Sequence, residues 1–145
     1  MNAARSFEAT SHISAAPAEV WPVLTDTAAW PTWDSGVEKV DGEFAQGAKL
    51  TITVAANPGR AFPVKVEQLD EPRRMVFRGG MPLGLFVGER TYTLSDEDGG
   101  TRFTMREEYT GLMAGMIVKS IPDLNPSFQQ FANGLAQRVE QQRST

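Results

Sequence analysis

Apolar and polar positions along the chain fall into two periods. Residues 6–14 alternate and predict a first strand that ends at Ile13-Ser14. Ala16-Pro17-Ala18-Glu19 then opens a helix, with Pro17 early enough that its missing N–H costs nothing. Val20, Trp21 and Leu24 give that helix an apolar stripe, and Pro22 keeps it short. A second short helix or turn is predicted around residues 27–33, interrupted by Pro31. After Asp34-Ser35-Gly36 the period becomes two, and strands are predicted over 37–44, 49–54, 62–70, 74–80, 88–96 and 101–110. The breaks are Gln46-Gly47, Asn57-Pro58-Gly59, Asp70-Glu71-Pro72 and the runs 79–84 and 96–100. Each is too short for a parallel crossover, so the strands form an antiparallel meander.

Residues 111–125 are apolar and rich in Gly and Met. Asn125 suits a helix N-cap and Pro126 a first helical position. Phe128, Phe131, Ala132, Leu135 and Val139 then recur three or four apart, which predicts a long amphipathic helix to about residue 142. The expected class is α+β: a seven-stranded antiparallel sheet wrapped around a long C-terminal helix, with two short helices after the first strand. The expected organisation is a single domain over residues 1–145, with an enclosed space between sheet and helix.

Composition narrows the chemistry. The chain has 145 residues, 14 Lys+Arg against 18 Asp+Glu, and a net charge of −4. That balance offers no basic footprint for a phosphate backbone, so no nucleic-acid partner is expected. With no cysteine, thiolate nucleophiles and zinc–thiolate or iron–sulfur sites are excluded. A single histidine, His12, alternates outward on the first strand, so no metal site and no cofactor are expected. No apolar run reaches membrane-spanning length, so stable membrane insertion is not expected. The segment Met1-Asn2-Ala3-Ala4-Arg5-Ser6-Phe7-Glu8 does not read as a secretory leader, and a cytoplasmic location follows as the expectation. No Gly-x-Ser-x-Gly motif exists, and Gly79-Gly80 precedes a strand and not a helix, so neither a hydrolase elbow nor a dinucleotide loop is present.

The last two strands carry the sharpest signal. Keeping Tyr92 and Leu94 on one face with Phe103 and Met105 pairs Leu94 with Phe103, Tyr92 with Met105 and Arg90 with Glu107, leaving 97–100 as the loop. Arg90 and Glu107 then point inward with the apolar residues, where desolvation is costly. Such a pair is either a structural bridge at the sheet edge or a polar anchor for a ligand carboxylate, carbonyl or hydroxyl. Leu50, Ile52, Val54, Phe62, Val64 and Val66 share one face as core or cavity wall. Met81, Leu83, Leu85, Phe86, Leu112, Met113, Met116 and Ile117 are apolar residues in loops, which mark either loop packing or an adaptable binding surface.

The order of elements resembles the helix-grip (START-like, SRPBCC) superfamily, which includes polyketide cyclase/dehydrase-like proteins, lipid-transfer domains and pollen-allergen-like proteins. The residues that carry the resemblance run from Ile13 to Trp21 and from Trp30 to Asp34, with Gly88-Glu89-Arg90-Thr91-Tyr92 and the run from Arg106 to Leu112. The resemblance implies a hydrophobic small-molecule ligand in an internal cavity. Its expected lining is Ile52, Phe62, Val64 and Phe77 from the sheet, Arg90, Tyr92, Met105, Glu107 and Tyr109 from the last hairpin, and Phe128 and Phe131 from the helix. Met81, Phe86 and Met113 belong to its mouth, and Trp33 matches a residue that closes the turn into the second strand. Loops 57–60 and 79–84 are similar in position to the gate and latch loops of plant hormone receptors of this superfamily, without their signature residues. Many members carry a histidine where Arg90 stands, so an acid–base role tied to that histidine does not carry over.

Binding, with transport or sequestration, is therefore the leading expectation, and no catalytic residue is assigned. A polyketide cyclase- or dehydratase-like enzyme is the alternative, with Arg90 stabilising an enolate and Glu107 or Tyr109 moving protons. A protein-interaction module meeting its partner through residues 111–124 is a third. Monomer and homodimer are both open, the strand carrying Phe62 and Val64 being the one considered for edge pairing.

Overall fold

The computed structural model describes residues 3–57 and 59–143. Met1 and Asn2 of the leader reading and Pro58 of the first mouth loop lie outside the described residues, as do Ser144 and Thr145. Strand β1 (Arg5–Ile13) leads into helix α1 (Pro17–Thr25) and a 3-10 turn (Thr27–Thr32). The meander follows as β2 (Val37–Asp41), β3 (Lys49–Val54), β4 (Ala61–Asp70), β5 (Arg74–Met81), β6 (Phe86–Glu97) and β7 (Gly100–Thr110). A short helix α2 (Ala114–Ile117) precedes the long helix α3 (Asn125–Arg143).

All pairings are antiparallel in one seven-stranded sheet of order β1-β7-β6-β5-β4-β3-β2. This is the helix-grip α+β architecture. Because strands alternate in direction, the 55–60 and 82–85 connections and the 111–124 segment all lie at one end of the sheet. The apolar faces of the strands meet α1 and α3 in a core that includes Leu50, Val66, Met75, Leu94 and Leu135, each essentially without solvent contact.

Helix α3 is fastened along β1. The Glu8 N–H donates to Asn125 Oδ1 (3.0 Å), Gln129 Nε2 to the Thr10 carbonyl (2.9 Å), Ser11 Oγ to the Ala132 carbonyl (2.8 Å) and the Ser14 N–H to Glu140 Oε2 (3.0 Å). Asn125 therefore spends its side chain on β1, not on capping its own helix. The first turn closes instead by the Phe128 N–H donating to the Leu124 carbonyl at 2.9 Å. Gly134 lets the helix seat against the chain before β2: a Cβ there would lie 1.9 Å from the Asp34 carbonyl oxygen.

Three sequence expectations need correction. The run 79–84 is not all loop: Gly79, Gly80 and Met81 pair with Gly88, Val87 and Phe86, so β5 and β6 extend toward each other and only residues 82–85 connect them. The β6–β7 connection is tighter than 97–100, because Glu97 pairs with Gly100 and only Asp98 and Gly99 turn, both at positive φ. The strand with Phe62 and Val64 has no free edge, being paired to β3 and β5 on its two sides; the sheet edges are β1 and β2.

Candidate functional site

The β6–β7 register is the one the alternation predicts, with Arg90 opposite Glu107, Tyr92 opposite Met105 and Leu94 opposite Phe103. Both charged side chains consequently point to the helix side. Arg90 Nε and Nη2 donate to the same Glu107 oxygen, Oε2, at 3.0 and 2.5 Å. The guanidinium also lies over the Phe128 ring of α3, 4.7 Å from its centroid. The side chains of the pair are mostly buried, 23% exposed for Arg90 and 12% for Glu107.

Two tyrosines flank the pair, and they are the chain's only two. The Tyr92 hydroxyl is buried and makes no well-formed hydrogen bond among the described residues, although the Arg90 guanidinium is near enough to act on it by charge and by a weak hydrogen bond. Tyr109 stacks flat on Phe86 (5.5 Å) and edge-on to Phe7 (6.0 Å). Gly88 makes this possible, since a Cβ at that position would come within 3.0 Å of Glu107 Oε1 and 3.2 Å of the Tyr109 ring.

Electrostatics fix the protonation states. Burial alone would lower the Arg90 pKa, but the Glu107 charge, with help from Tyr92, outweighs it and holds the guanidinium above its ordinary value. Burial raises the Tyr92 phenol; Arg90 opposes this only in part. Burial, then Glu107, raises Tyr109 well above the usual tyrosine value. The site thus holds a permanent cation between two neutral phenols. The folded chain keeps phenolic protons that the unfolded chain releases near pH 10, so this contribution to stability is complete below about pH 10 and falls above it. Phenolate absorbance should therefore rise later with pH in the folded protein than in denaturant, and alkaline denaturation should release it. A normal tyrosine titration in the folded protein would contradict the burial of both rings.

The other predicted residues fall around this cluster. Phe131 sits at the centre of the interior, with ring centroids 4.9 Å from Trp30, 5.2 Å from Trp33, 5.9 Å from Tyr92 and 6.0 Å from Phe103. Phe77 packs edge-on to Tyr92 at 5.3 Å, and Met105 and Ile52 are buried on the same side of the sheet. Phe62 and Val64 are half-buried further out along β4, with Arg60 over the Phe62 ring. Met81 is exposed at the end of β5, and Met113 is half-buried with its N–H on the Leu85 carbonyl.

The space between sheet and helix is occupied by these rings. Two open surface hollows lie elsewhere: one of about 400 Å³ between the start of α1 and the Asp98-Gly99 turn, another of about 450 Å³ beside Glu19 and Arg143.

Two residues outside the predicted set matter. Trp30 is the hub of the aromatic interior, its Nε1 donating to the Leu24 carbonyl at 3.0 Å and its ring meeting Phe77, Tyr92 and Phe131. Nothing in its spacing distinguishes it from Trp21. Arg5 donates to the carbonyls of Val118 (3.0 Å) and Ile121 (2.6 Å) and lies over Phe7, holding the 111–124 segment down. A cation on an inward-alternating position beside Phe7 was its one available signal.

A curled antiparallel sheet gripping one helix, with a few polar groups turned into an aromatic interior, defines a START-like (SRPBCC) domain. Over residues 4–140 the chain belongs to the family described as polyketide cyclase / dehydrase and lipid transport. Its fold is similar to that of an aromatase/cyclase from a Streptomyces species (17% identity, TM-score 0.73, 96% of this chain and 95% of that one). It is also similar to a START superfamily protein from Mycobacterium smegmatis (15%, TM-score 0.68, 94% and 98%). A norcoclaurine synthase point mutant from Thalictrum flavum, in complex with a transition-state analogue, is a third (16%, TM-score 0.71, 96% and 96%). No curated protein matches the sequence. No helix among the described residues is long and apolar enough to cross a membrane.

Proposed function

We propose that the chain binds a hydrophobic small molecule between sheet and α3, and that Arg90, Glu107 and Tyr92 receive the ligand's one polar group. The observation that carries this reading is the Tyr92 hydroxyl, buried beside a fixed cation that gives it no well-formed hydrogen bond. A buried donor left unpaired costs about 1–3 kcal/mol, which a hydrogen-bond acceptor on a ligand would recover. Apolar walls with a few convergent polar groups are the usual make-up of small-molecule sites. The family description, which joins lipid transport with polyketide cyclisation, supports the same class of ligand. Because rings fill the interior, the ligand displaces side chains such as Phe128 and Trp33 as it binds.

Organic extraction of the purified protein followed by mass spectrometry tests this reading and names the ligand class. The expected extract contains an apolar compound carrying a carbonyl, carboxylate or hydroxyl. Tyr92→Phe should leave the fold intact and its stability unchanged or raised by up to about 1 kcal/mol, since it removes a buried hydroxyl without a well-formed hydrogen bond. The same change should weaken the extracted ligand by about tenfold. A Tyr92→Phe protein that loses stability and keeps full affinity would sink the anchor role.

A catalytic reading rests on the same atoms. Arg90 and the neutral Tyr92 phenol can stabilise an enolate oxygen, each such group contributing about 10²–10⁴-fold, while Glu107 moves a proton. Turnover of a poly-β-ketone that Arg90→Met abolishes would favour cyclase or dehydratase chemistry over simple binding.

A further inference from the structure

Four large apolar side chains stand in solvent, all at the same end of the sheet: Leu83 (93% exposed), Leu112 (85%), Met116 (62%) and Met81 (41%). They are held together as one feature. The Met113 N–H donates to the Leu85 carbonyl at 2.8 Å, and Gly111 packs so closely on residues 84–85 that a Cβ would lie 2.7 Å from the Gly84 carbonyl oxygen. The 82–85 turn and the start of the 111–124 segment are therefore pinned side by side.

Leu83 adopts φ +61°, a left-handed conformation that costs a residue with a Cβ roughly 1–2 kcal/mol. Glycine or asparagine would fit that place better, and either would be more soluble. No buried contact within the chain repays the choice of leucine, because the side chain touches almost nothing. Leu83 is thus doubly unfavourable for the isolated fold, and an outlier of that kind points outward to a partner.

The charge around the tip says what partner. None of the 18 acidic residues falls in residues 55–60, 79–88 or 110–122, the stretches that carry or adjoin the exposed apolar side chains. The only charges there are Arg60 and Lys119, both exposed. The carboxylates nearest this end, Asp34 and Asp123, stand back where the chain enters β2 and α3, leaving the summit apolar with cations at its sides. The exposed set is aliphatic, projects from two separate loops, and includes no aromatic or arginine anchor of the sort that dominates protein–protein interfaces. Side chains that project singly suit a fluid apolar medium, which needs no matching shape.

We propose that this end of the molecule docks on the surface of a phospholipid bilayer, with Leu83, Leu112 and Met116 entering the headgroup–acyl boundary and Arg60 and Lys119 meeting anionic headgroups. The contact is interfacial, not spanning, and it stands independently of what the interior holds.

Flotation of the full chain with vesicles tests it, using phosphatidylcholine alone and an equimolar mixture of phosphatidylcholine and phosphatidylglycerol. The chain should float with both, more strongly with the anionic mixture, by roughly fivefold for each of the two cations at low salt. Leu83→Ser and Leu112→Ser should each lower partitioning by about tenfold. Leu83→Gly should weaken binding likewise while leaving Tm unchanged or raised, a combination that general unfolding cannot produce. Asp98→Asn, at the opposite end, should leave vesicle binding unaltered. Failure to float with either vesicle, or flotation indifferent to the Leu83 and Leu112 changes, would overturn the proposal. So would a self-associated species in vesicle-free solution that Leu83→Ser disperses, or capture by a protein partner with no vesicle binding. None of these outcomes bears on whether the extracted interior contains a ligand.

Discussion

Phe131→Ala should destabilise the fold by about 3–5 kcal/mol, the usual cost of deleting a buried aromatic ring. Its ring touches Trp30 from the first turn region, Trp33 at the entrance to β2, Tyr92 from β6 and Phe103 from β7. The upper half of that range is expected, because rings fixed on four separate elements cannot all relax into the space left. Denaturant unfolding followed by the fluorescence of the three tryptophans would read both the loss and its origin, since two of them lie against the deleted ring. A loss below about 1 kcal/mol would mean that α3 does not grip the sheet at this point.

Glu107→Ala should cost about 3 kcal/mol, the low end for breaking a buried pair, because Arg90 keeps 23% of its side chain in solvent. The cost arises from the cation left behind, beside Phe128 and the neutral Tyr92 phenol, not from the net strength of the bridge. Replacing both residues, Arg90→Met with Glu107→Leu, should therefore be far milder and close to neutral. The double variant then becomes the useful protein for ligand work: folded, with the anchor erased. Equal losses in the single and double variants would show that packing, not charge, accounts for the single one.

Some of this was legible in the sequence, and the reasons are specific. Tyr92 and Leu94 against Phe103 and Met105 leave one register in which a single face is apolar, so the Arg90–Glu107 pairing and its inward aim follow from alternation. The α3 face follows from the spacing of Phe128, Phe131, Leu135 and Val139 in the same way. Periodicity names a face but not what fills it. The interior expected as an open space is packed with rings, and Trp30, their hub, belongs to a six-residue 3-10 turn with no period to read. Gly79-Gly80 reads as a break because glycine weakens strands, yet it is where strands crowd: a Cβ at Gly79 would lie 2.8 Å from the Pro63 carbonyl. Asn125 looked like a cap because local chemistry allows it; a strand 117 residues earlier in the chain took the side chain instead. Long-range competition of that kind leaves no local trace.

The bonds that fasten α3 to β1 have a mechanical consequence. They run from the first turn of the helix, at Asn125, to its last third, at Glu140, so one flank of the molecule is stitched shut along its length. On the opposite flank one such bond, Gln130 Nε2 donating to Asp34 Oδ1 (2.7 Å) where the chain enters β2, reaches the helix. The domain is therefore expected to open unevenly, with the stitched flank as the spine of a book and the β2–β4 side as its cover. On the reading proposed above, a guest would enter by that cover side while the helix stays on its spine.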